Sequence, residues 1–146
     1  PYHTQLADEL QRMHTEHGIA MLWDAHSIAS VVPRFFEGQL PDLNLGTASG
    51  TSCALELAER LYDIAEAASE AGYSQAMNGR FKGGYITRHY GQPQKNIHAV
   101  QLELTQCTYM DEQFPFAFYE EKALRVRPTL RRFMDEMLRW TDQVQG

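Results

Sequence analysis

The chain has 146 residues, of which 43% are hydrophobic and 22% charged, an ordinary composition for a single globular domain. Its formal net charge of −6 argues against nucleic acid or an anionic membrane as a partner, because either would favour a basic surface. No apolar run has the length of a membrane span, and no signal-peptide pattern opens the chain. Cys53 and Cys107 lack CxxC spacing, so we interpret them as free thiols in a reducing cytosol and expect a cytoplasmic protein.

The start of the chain predicts a helix followed by a buried strand. A helix over 1–17 is indicated by apolar residues at the spacing of one helical face, Leu6, Leu10 and Met13. Gly18 then provides a helix stop. The apolar run 19–23 predicts a buried strand, which we expect to end at the polar residues 24–27.

A long irregular loop and the clearest helix come next. Residues 27–52 show no sustained period, although 43–45 is compatible with a short strand. Residues 53–71 carry an apolar stripe and predict a helix, capped by Ser52 or Thr51 and closed by Gly72.

The second half predicts further strands and a final helix. We expect strands at 73–77 and 85–90, and a third at 98–106, where apolar and polar residues alternate. The aromatic loop 110–119 is either a lid or a subunit contact, and the final helix is most secure over 128–141.

Strands alternating with helices predict an α/β layered fold in one domain, residues 1–146. Three or four strands make a thin sheet, and the chain opens at Pro1 rather than at a methionine. We therefore expect the domain to be incomplete, with part of the sheet upstream of Pro1. The sequence leaves the oligomeric state open.

The stretch 78–91 concentrates positive charge among glycines. Glycines allow backbone to approach a ligand closely, and Arg80 and Arg88 can each grip a carboxylate with two parallel hydrogen bonds. Asn78 and His89 are further substrate-binding candidates in the same stretch. In an acidic chain these residues indicate a site for a small anion, although a charged hairpin loop in water would look similar.

Two further segments carry candidate chemistry. Asp24 and His26 are two residues apart, so on a strand both side chains point to one side. There His26 could bind a metal ion, and Asp24 could either bind the same metal or orient His26. A purely structural hydrogen bond between them is the alternative. Glu103 lies between leucines, so partial desolvation would raise its proton affinity and suit it to acid–base work, unless it pairs with an arginine. Among the other histidines, the better site candidates are His3, His89 and His98.

Together these segments resemble the N-formylglutamate amidohydrolase family, also called N-formylglutamate deformylase. The resemblance is carried by 22–28, 41–47, 78–91 and 98–104, with a further likeness in the opening Pro-Tyr-His. It covers only the C-terminal part of the usual family protein, without the N-terminal portion that carries another histidine-containing metal segment.

The resemblance implies a three-layer α/β/α sandwich related to zinc-dependent exopeptidases and amidases. It implies His26 as a zinc ligand, with Asp24 as a further candidate, and the remaining ligands upstream of Pro1. It implies Glu103 as general base and acid. Charge matching then assigns Arg80 and Arg88 to the two carboxylates of a glutamyl substrate.

The implied reaction is zinc-dependent hydrolysis of N-formyl-L-glutamate to formate and L-glutamate, in histidine degradation. Because a catalytic zinc site normally has three protein ligands, this chain alone is expected to bind the metal weakly. Two other interpretations remain open. One is a metal-free module that binds small dicarboxylates, and the other is a related zinc amidase or carboxypeptidase acting on a larger substrate.

Overall fold

The computed structural model describes residues 1–146 and contains one four-stranded sheet with helices on both faces. The helices are α1 (Tyr2–His17), α2 (Leu55–Ala67), α3 (Tyr85–Tyr90) and α4 (Glu120–Gln145). The strands are β1 (Ala20–Ile28), β2 (Leu43–Gly46), β3 (Gln75–Met77) and β4 (Ile97–Thr105). The predicted α/β class is confirmed. None of the helices combines the length and the apolar character that a membrane crossing requires.

The sheet is mixed, and its strand order is β1-β4-β2-β3. β1 runs parallel to β4 and β2 runs parallel to β3, whereas β2 lies antiparallel to β4. All residues of β4 are buried, so the strand that carries Glu103 is central. This excludes a solvated sheet edge as the reason for the polar residues of β4.

The two faces of the sheet bury different clusters. On one face Val100 and Leu102 pack into the larger core beneath α2 and α4, and the ring of Trp23 lies 5.6 Å from that of Phe133. The opposite face holds a smaller core under α1 and α3, formed by Leu10, Ala20, Tyr90 and Ile97. Beyond this smaller core the side chains on the same face of β1 and β4 are polar, so this part of the face is a candidate for a binding site.

The strand predicted at 85–90 is wrong, because this segment forms α3. Thr87 and Tyr90, three residues apart, are the buried positions, which is a helical spacing rather than an alternation. Tyr85 and His89 stack one turn apart, with ring centroids 4.9 Å from each other. Contacts with the sheet and within the turn therefore outweigh the strand preference of these side chains.

Two other element boundaries differ from expectation. β1 does not end before Asp24 but continues to Ile28, because its second half pairs with β4. α4 runs from Glu120 to Gln145 and so extends on both sides of 128–141, the part of the predicted final helix that was most secure. Val126 and Phe133 are buried on either side of Pro128, so packing holds the helix together across it.

The ends of the helices were only partly predicted. Gly18 and Gly72 both adopt the left-handed conformation that ends a helix, with φ of 72° and 90°. Neither Ser52 nor Thr51 caps α2, whose N-cap position is Ala54. Ser52 Oγ instead donates to the carbonyl oxygen of Ala99 on β4, at 2.7 Å.

The glycine-rich stretch crosses the sheet at the end of β2. A Cβ on Gly46 would lie 2.6 Å from the backbone nitrogen of Gly83, closer than packed atoms allow. The nearby amide of Ala48 donates to the carbonyl oxygen of Lys82 at 2.6 Å. Gly46 therefore lets the 82–84 segment lie directly on the sheet, beside the polar part of β4.

Candidate active site

A cavity of about 700 Å³ opens on the polar part of the sheet. Its floor includes Asp24 and His26 of β1 and Gln101 and Glu103 of β4. Its walls are formed by the first turn of α1, the loop at Phe35, the glycine-rich stretch and the start of α3. Besides Phe35, the wall residues are Tyr2, His3, Arg80, Phe81, Lys82, Gly83, Gly84, Tyr85 and Ile86. The aromatic loop 110–119 does not line this cavity.

The pairing of β1 with β4 sets the floor of the cavity. Asp24 lies opposite Gln101, and His26 lies opposite Glu103. Because alternate residues of a strand share a face, all four side chains point to the same side of the sheet. The structure thus brings together the Asp-x-His pair and the glutamate that the sequence singled out separately.

Asp24 is held on both of its carboxylate oxygens. Oδ1 lies 2.8 Å from Nε2 of His26, and Oδ2 accepts a hydrogen bond from the buried Thr87 hydroxyl at 3.3 Å. A donated Nε2–H leaves Nδ1 of His26 with a free lone pair, and this side chain is 46% exposed. Since both oxygens of Asp24 have protein partners, the geometry favours Asp24 as the residue that orients His26 rather than as a metal ligand.

Glu103 is buried and lacks a cationic partner. Only 8% of it is exposed, and it forms no ion pair with an arginine. Burial raises the pKa of the Glu103 carboxyl, the charge of Asp24 raises it further, and His26 opposes these effects. A carboxyl with raised proton affinity at the floor of a cavity can accept and return a proton.

Arg80 reaches the cavity, whereas Arg88 supports the loop. Nε of Arg80 donates to the carbonyl oxygen of Phe35 at 2.7 Å, which leaves both terminal guanidinium nitrogens without a protein partner. Nη1 of Arg88 donates to the carbonyl oxygen of Gly83 at 2.7 Å, and Arg88 is not among the lining residues. The structure therefore places one of the two arginines, and not both, in the cavity.

Asn78 and His89 also lie outside the cavity. Oδ1 of Asn78 accepts from the amides of Thr47 and Ser49 at 2.8 and 3.2 Å, and Nδ2 donates to the Thr47 hydroxyl at 2.8 Å. With φ of 52°, Asn78 holds the turn after β3. His89 stacks on Tyr85 on the exposed side of α3.

The other two histidine candidates differ from each other. His98 points to the opposite face of the sheet, against Trp140, where burial lowers its pKa to about 4 and its Nδ1 accepts from the amide of Ala54. His3 does line the cavity, and its Nδ1 lies 2.8 Å from the hydroxyl of Tyr90. The first turn of α1 is thereby tied to α3 at the cavity wall.

Sequence reasoning did not single out three residues that shape the site. Thr87 supports Asp24, Gly84 donates its amide to Gln101 at 2.6 Å, and Lys82 adds a cation to the cavity wall. Gln101, the acceptor for Gly84, could have been recognised in the sequence as a site residue, since it is a polar residue on a strand that is otherwise largely apolar. Thr87 had none, because its role depends on α3 packing against β1.

The donor types at this site suit zinc, but their arrangement does not form a catalytic zinc site. His26 offers an imidazole nitrogen, and Asp24 and Glu103 offer oxygens. No group of three His, Cys, Asp or Glu side chains in the chain is arranged to hold a metal ion. Within this chain, His26 is the residue that fits a ligand role.

The sequence of this chain matches that of a known protein family. The sequence model of the N-formylglutamate amidohydrolase family matches residues 1–110. Over 140 residues the chain is 56% identical to an N-formylglutamate deformylase of Pseudomonas aeruginosa and 53% identical to one of Pseudomonas putida. Each of these alignments covers 96% of this chain and 52% of the relative.

A solved structure shares the fold. The crystal structure of an N-formylglutamate amidohydrolase from Ralstonia eutropha JMP134 matches with a TM-score of 0.76 at 24% identity, and the match covers 99% of this chain and 51% of that chain. The chain thus spans about half the length of the relatives that it matches.

Replacing Asp24 by Asn is expected to lower the pKa of Glu103, because it removes a negative charge that disfavours a second carboxylate. His26→Gln is expected to raise that pKa, because it removes the electrostatic influence of His26, which lowers the pKa of Glu103. Carbon-13 NMR titration of the glutamate carboxyls measures both changes. Asp135→Asn on α4 serves as the control, since that carboxylate lies beside Arg131 on the outer helix. If Glu103 titrates in the Asp24→Asn variant as it does in the wild-type protein, the Asp24 charge does not affect the Glu103 pKa and the prediction is wrong.

Proposed function

Because the chain belongs to the N-formylglutamate amidohydrolase family, we propose that the protein hydrolyses N-formyl-L-glutamate to formate and L-glutamate. The names of the relatives support the substrate, and the observation that carries the proposal is the position of Glu103. It is a buried carboxyl without an ion pair, opposite His26 on the floor of a cavity whose wall is cationic. This combination suits hydrolysis of an amide in an anionic substrate.

Glu103 is the general base and then the general acid of the proposed reaction. It takes a proton from a water molecule, whose oxygen bonds to the formyl carbon. When the carbon–nitrogen bond breaks, the same proton passes to the leaving nitrogen, so that formate and glutamate are released. Burial raises the pKa of Glu103, and a carboxyl with a raised proton affinity is better suited to accept a proton and return it.

Arg80 binds a carboxylate of the substrate in this proposal. The hydrogen bond from Nε of Arg80 to the Phe35 carbonyl oxygen holds the guanidinium in place. The terminal nitrogens of Arg80 remain available to a carboxylate. Lys82 adds a second positive charge at the same wall. Arg88, Asn78 and His89 contribute by shaping the glycine-rich stretch and α3 rather than by contacting the substrate.

We further propose that the full protein holds a zinc ion, with His26 as the ligand contributed by this chain and Asp24 orienting it. When bound, zinc would polarise the formyl oxygen and lower the pKa of water toward neutrality. The other ligands would come from the part of the relatives' length that this chain does not span. A sandwich of the zinc-exopeptidase type, a cytoplasmic location and a role in histidine degradation belong to the same proposal, supported by the sequence resemblance.

Glu103→Gln is expected to lower kcat on N-formyl-L-glutamate by about 10²–10⁴-fold with little change in KM, because the amide cannot accept the proton. Formate release by the full-length protein measures this effect. Glu121→Gln, in the exposed first turn of α4, is the control. Turnover by Glu103→Gln at the control's rate would refute the assignment. Binding of N-formyl-L-glutamate by the wild-type protein without formate release would instead support a metal-free dicarboxylate-binding module.

Arg80→Lys is expected to raise KM about tenfold with kcat nearly unchanged, since lysine cannot form the two parallel hydrogen bonds to a carboxylate. Arg88→Lys is the matched comparison, because it changes the same residue type in the same stretch outside the cavity lining. Its KM should stay within about threefold of the wild-type value, since lysine keeps the charge and a donor. Equal effects of the two substitutions on KM would contradict the distinction between the arginines.

His26→Ala is expected to remove most of the bound zinc from the full-length protein, in which we expect about one zinc per chain. Elemental analysis of the purified wild-type and variant proteins measures the zinc content. His14→Ala in the last turn of α1 is the control for the loss of a histidine elsewhere. Equal zinc content in the His26→Ala and wild-type proteins would rule out His26 as a ligand.

A further inference from the structure

Gln101 uses only half of its amide group within the protein. Its Oε1 accepts the backbone amide of Gly84 at 2.6 Å, and because an N–H must face an oxygen, this contact fixes the orientation of the side chain. Nε2 then points away from Gly84. It has no protein hydrogen-bond partner, and it is not sealed from the cavity.

The unpartnered part of the Gln101 amide is its donor end, and this end borders the cavity. Gln101 is 4% exposed on the central strand, where a polar group costs free energy unless it is hydrogen-bonded. Asn44, the buried amide on the neighbouring strand, donates its nitrogen to the carbonyl oxygens of Pro41 and Glu103. The donors of Gln101 have no comparable protein acceptor, so they remain available to a ligand in the cavity.

The surroundings indicate which ligand atom these donors meet. Arg80 and Lys82 line the same cavity and attract an anion. Gln101 and Glu103 are two positions apart on one face of β4, which corresponds to roughly 7 Å along a strand. A ligand whose reacting carbon lies at Glu103 can therefore extend a carboxylate along the strand toward Gln101.

We propose that Nε2 of Gln101 donates a hydrogen bond to a carboxylate oxygen of the substrate, in addition to the contact made by Arg80. This inference rests on the proposed hydrolysis of N-formyl-L-glutamate and adds a residue that determines its specificity. Gln101 then has two roles, since its oxygen holds the Gly84 backbone and its nitrogen binds the ligand. A hydrocarbon side chain would lose both roles, whereas a carboxylate would lose only the second.

Two substitutions at this position separate these roles. Gln101→Glu keeps the acceptor for Gly84 and removes the donor, whereas Gln101→Leu removes both without adding charge. Tyr85→Glu is the charge control, because it adds the same charge to an exposed wall residue of the cavity and leaves the amide intact. All variants are made in the full-length protein, and their unfolding midpoints report whether the fold is retained.

The measurements are calorimetric binding of L-glutamate, the proposed product, and steady-state kinetics with N-formyl-L-glutamate. We expect both Gln101 variants to raise the dissociation constant and KM by about 10- to 100-fold, which is the usual loss for a hydrogen bond to a charged group. We expect kcat to change by less than about threefold, as for a contact made equally before and during reaction. Tyr85→Glu should weaken binding less than Gln101→Glu does.

Each other outcome overturns the inference. Weak binding by Gln101→Leu alone would mean that the residue only holds Gly84. Weak binding by Gln101→Glu alone, or equal weakening by Tyr85→Glu, would mean that added charge is the cause. Wild-type affinity in both Gln101 variants would mean that the donor is unused. A wild-type protein that neither binds nor hydrolyses these ligands would refute the proposed function together with the inference, whereas an active wild type with unaffected variants would refute the inference alone.

Discussion

The parallel pairing of β1 with β4 is the constraint on which the rest of this structure depends. Its register sets Asp24 beside Gln101 and His26 beside Glu103, so four polar side chains from distant parts of the sequence meet on one face. A slip of one residue in either strand would turn that strand's polar pair toward the core beneath α2 and α4. The apolar residues that alternate with the polar ones fix the register, because they fill that core. Core packing and site assembly are therefore enforced by the same pairing.

Placing these polar groups on a central strand has an energetic cost that the fold only partly offsets. Asp24 is stabilised by His26 and Thr87, and the oxygen of Gln101 by Gly84. The Glu103 carboxyl forms no such hydrogen bond, and burial raises its pKa more than His26 lowers it. A domain selected only for stability would have an apolar residue at this position. The proposed acid–base role of Glu103 depends on this buried carboxyl, so the energetic cost of burying it accompanies that role.

Local patterns in the sequence predicted what depends on local periodicity. The alternation over 98–106, the apolar stripe of α2 and the glycine stops at Gly18 and Gly72 all correspond to observed elements. The prediction failed at 85–90, where burial of Thr87 and Tyr90 against the sheet selects a helix. It also could not place β4 at the centre or orient β2 antiparallel to it, because strand order depends on contacts between distant segments.

Residue type alone could not distinguish side chains that are free to bind a ligand from those whose polar atoms form hydrogen bonds within the protein. Arg80 and Arg88 carry the same charge, but their hydrogen bonds differ. Arg88 donates a terminal nitrogen to the Gly83 carbonyl, whereas Arg80 donates only Nε to the Phe35 carbonyl. In the same way the loop at Thr47 uses both polar atoms of Asn78, and Gly84 uses one polar atom of Gln101. Donors that remain unpaired after the backbone has been satisfied are those that a ligand can use, and they can be counted only once the loops are in place.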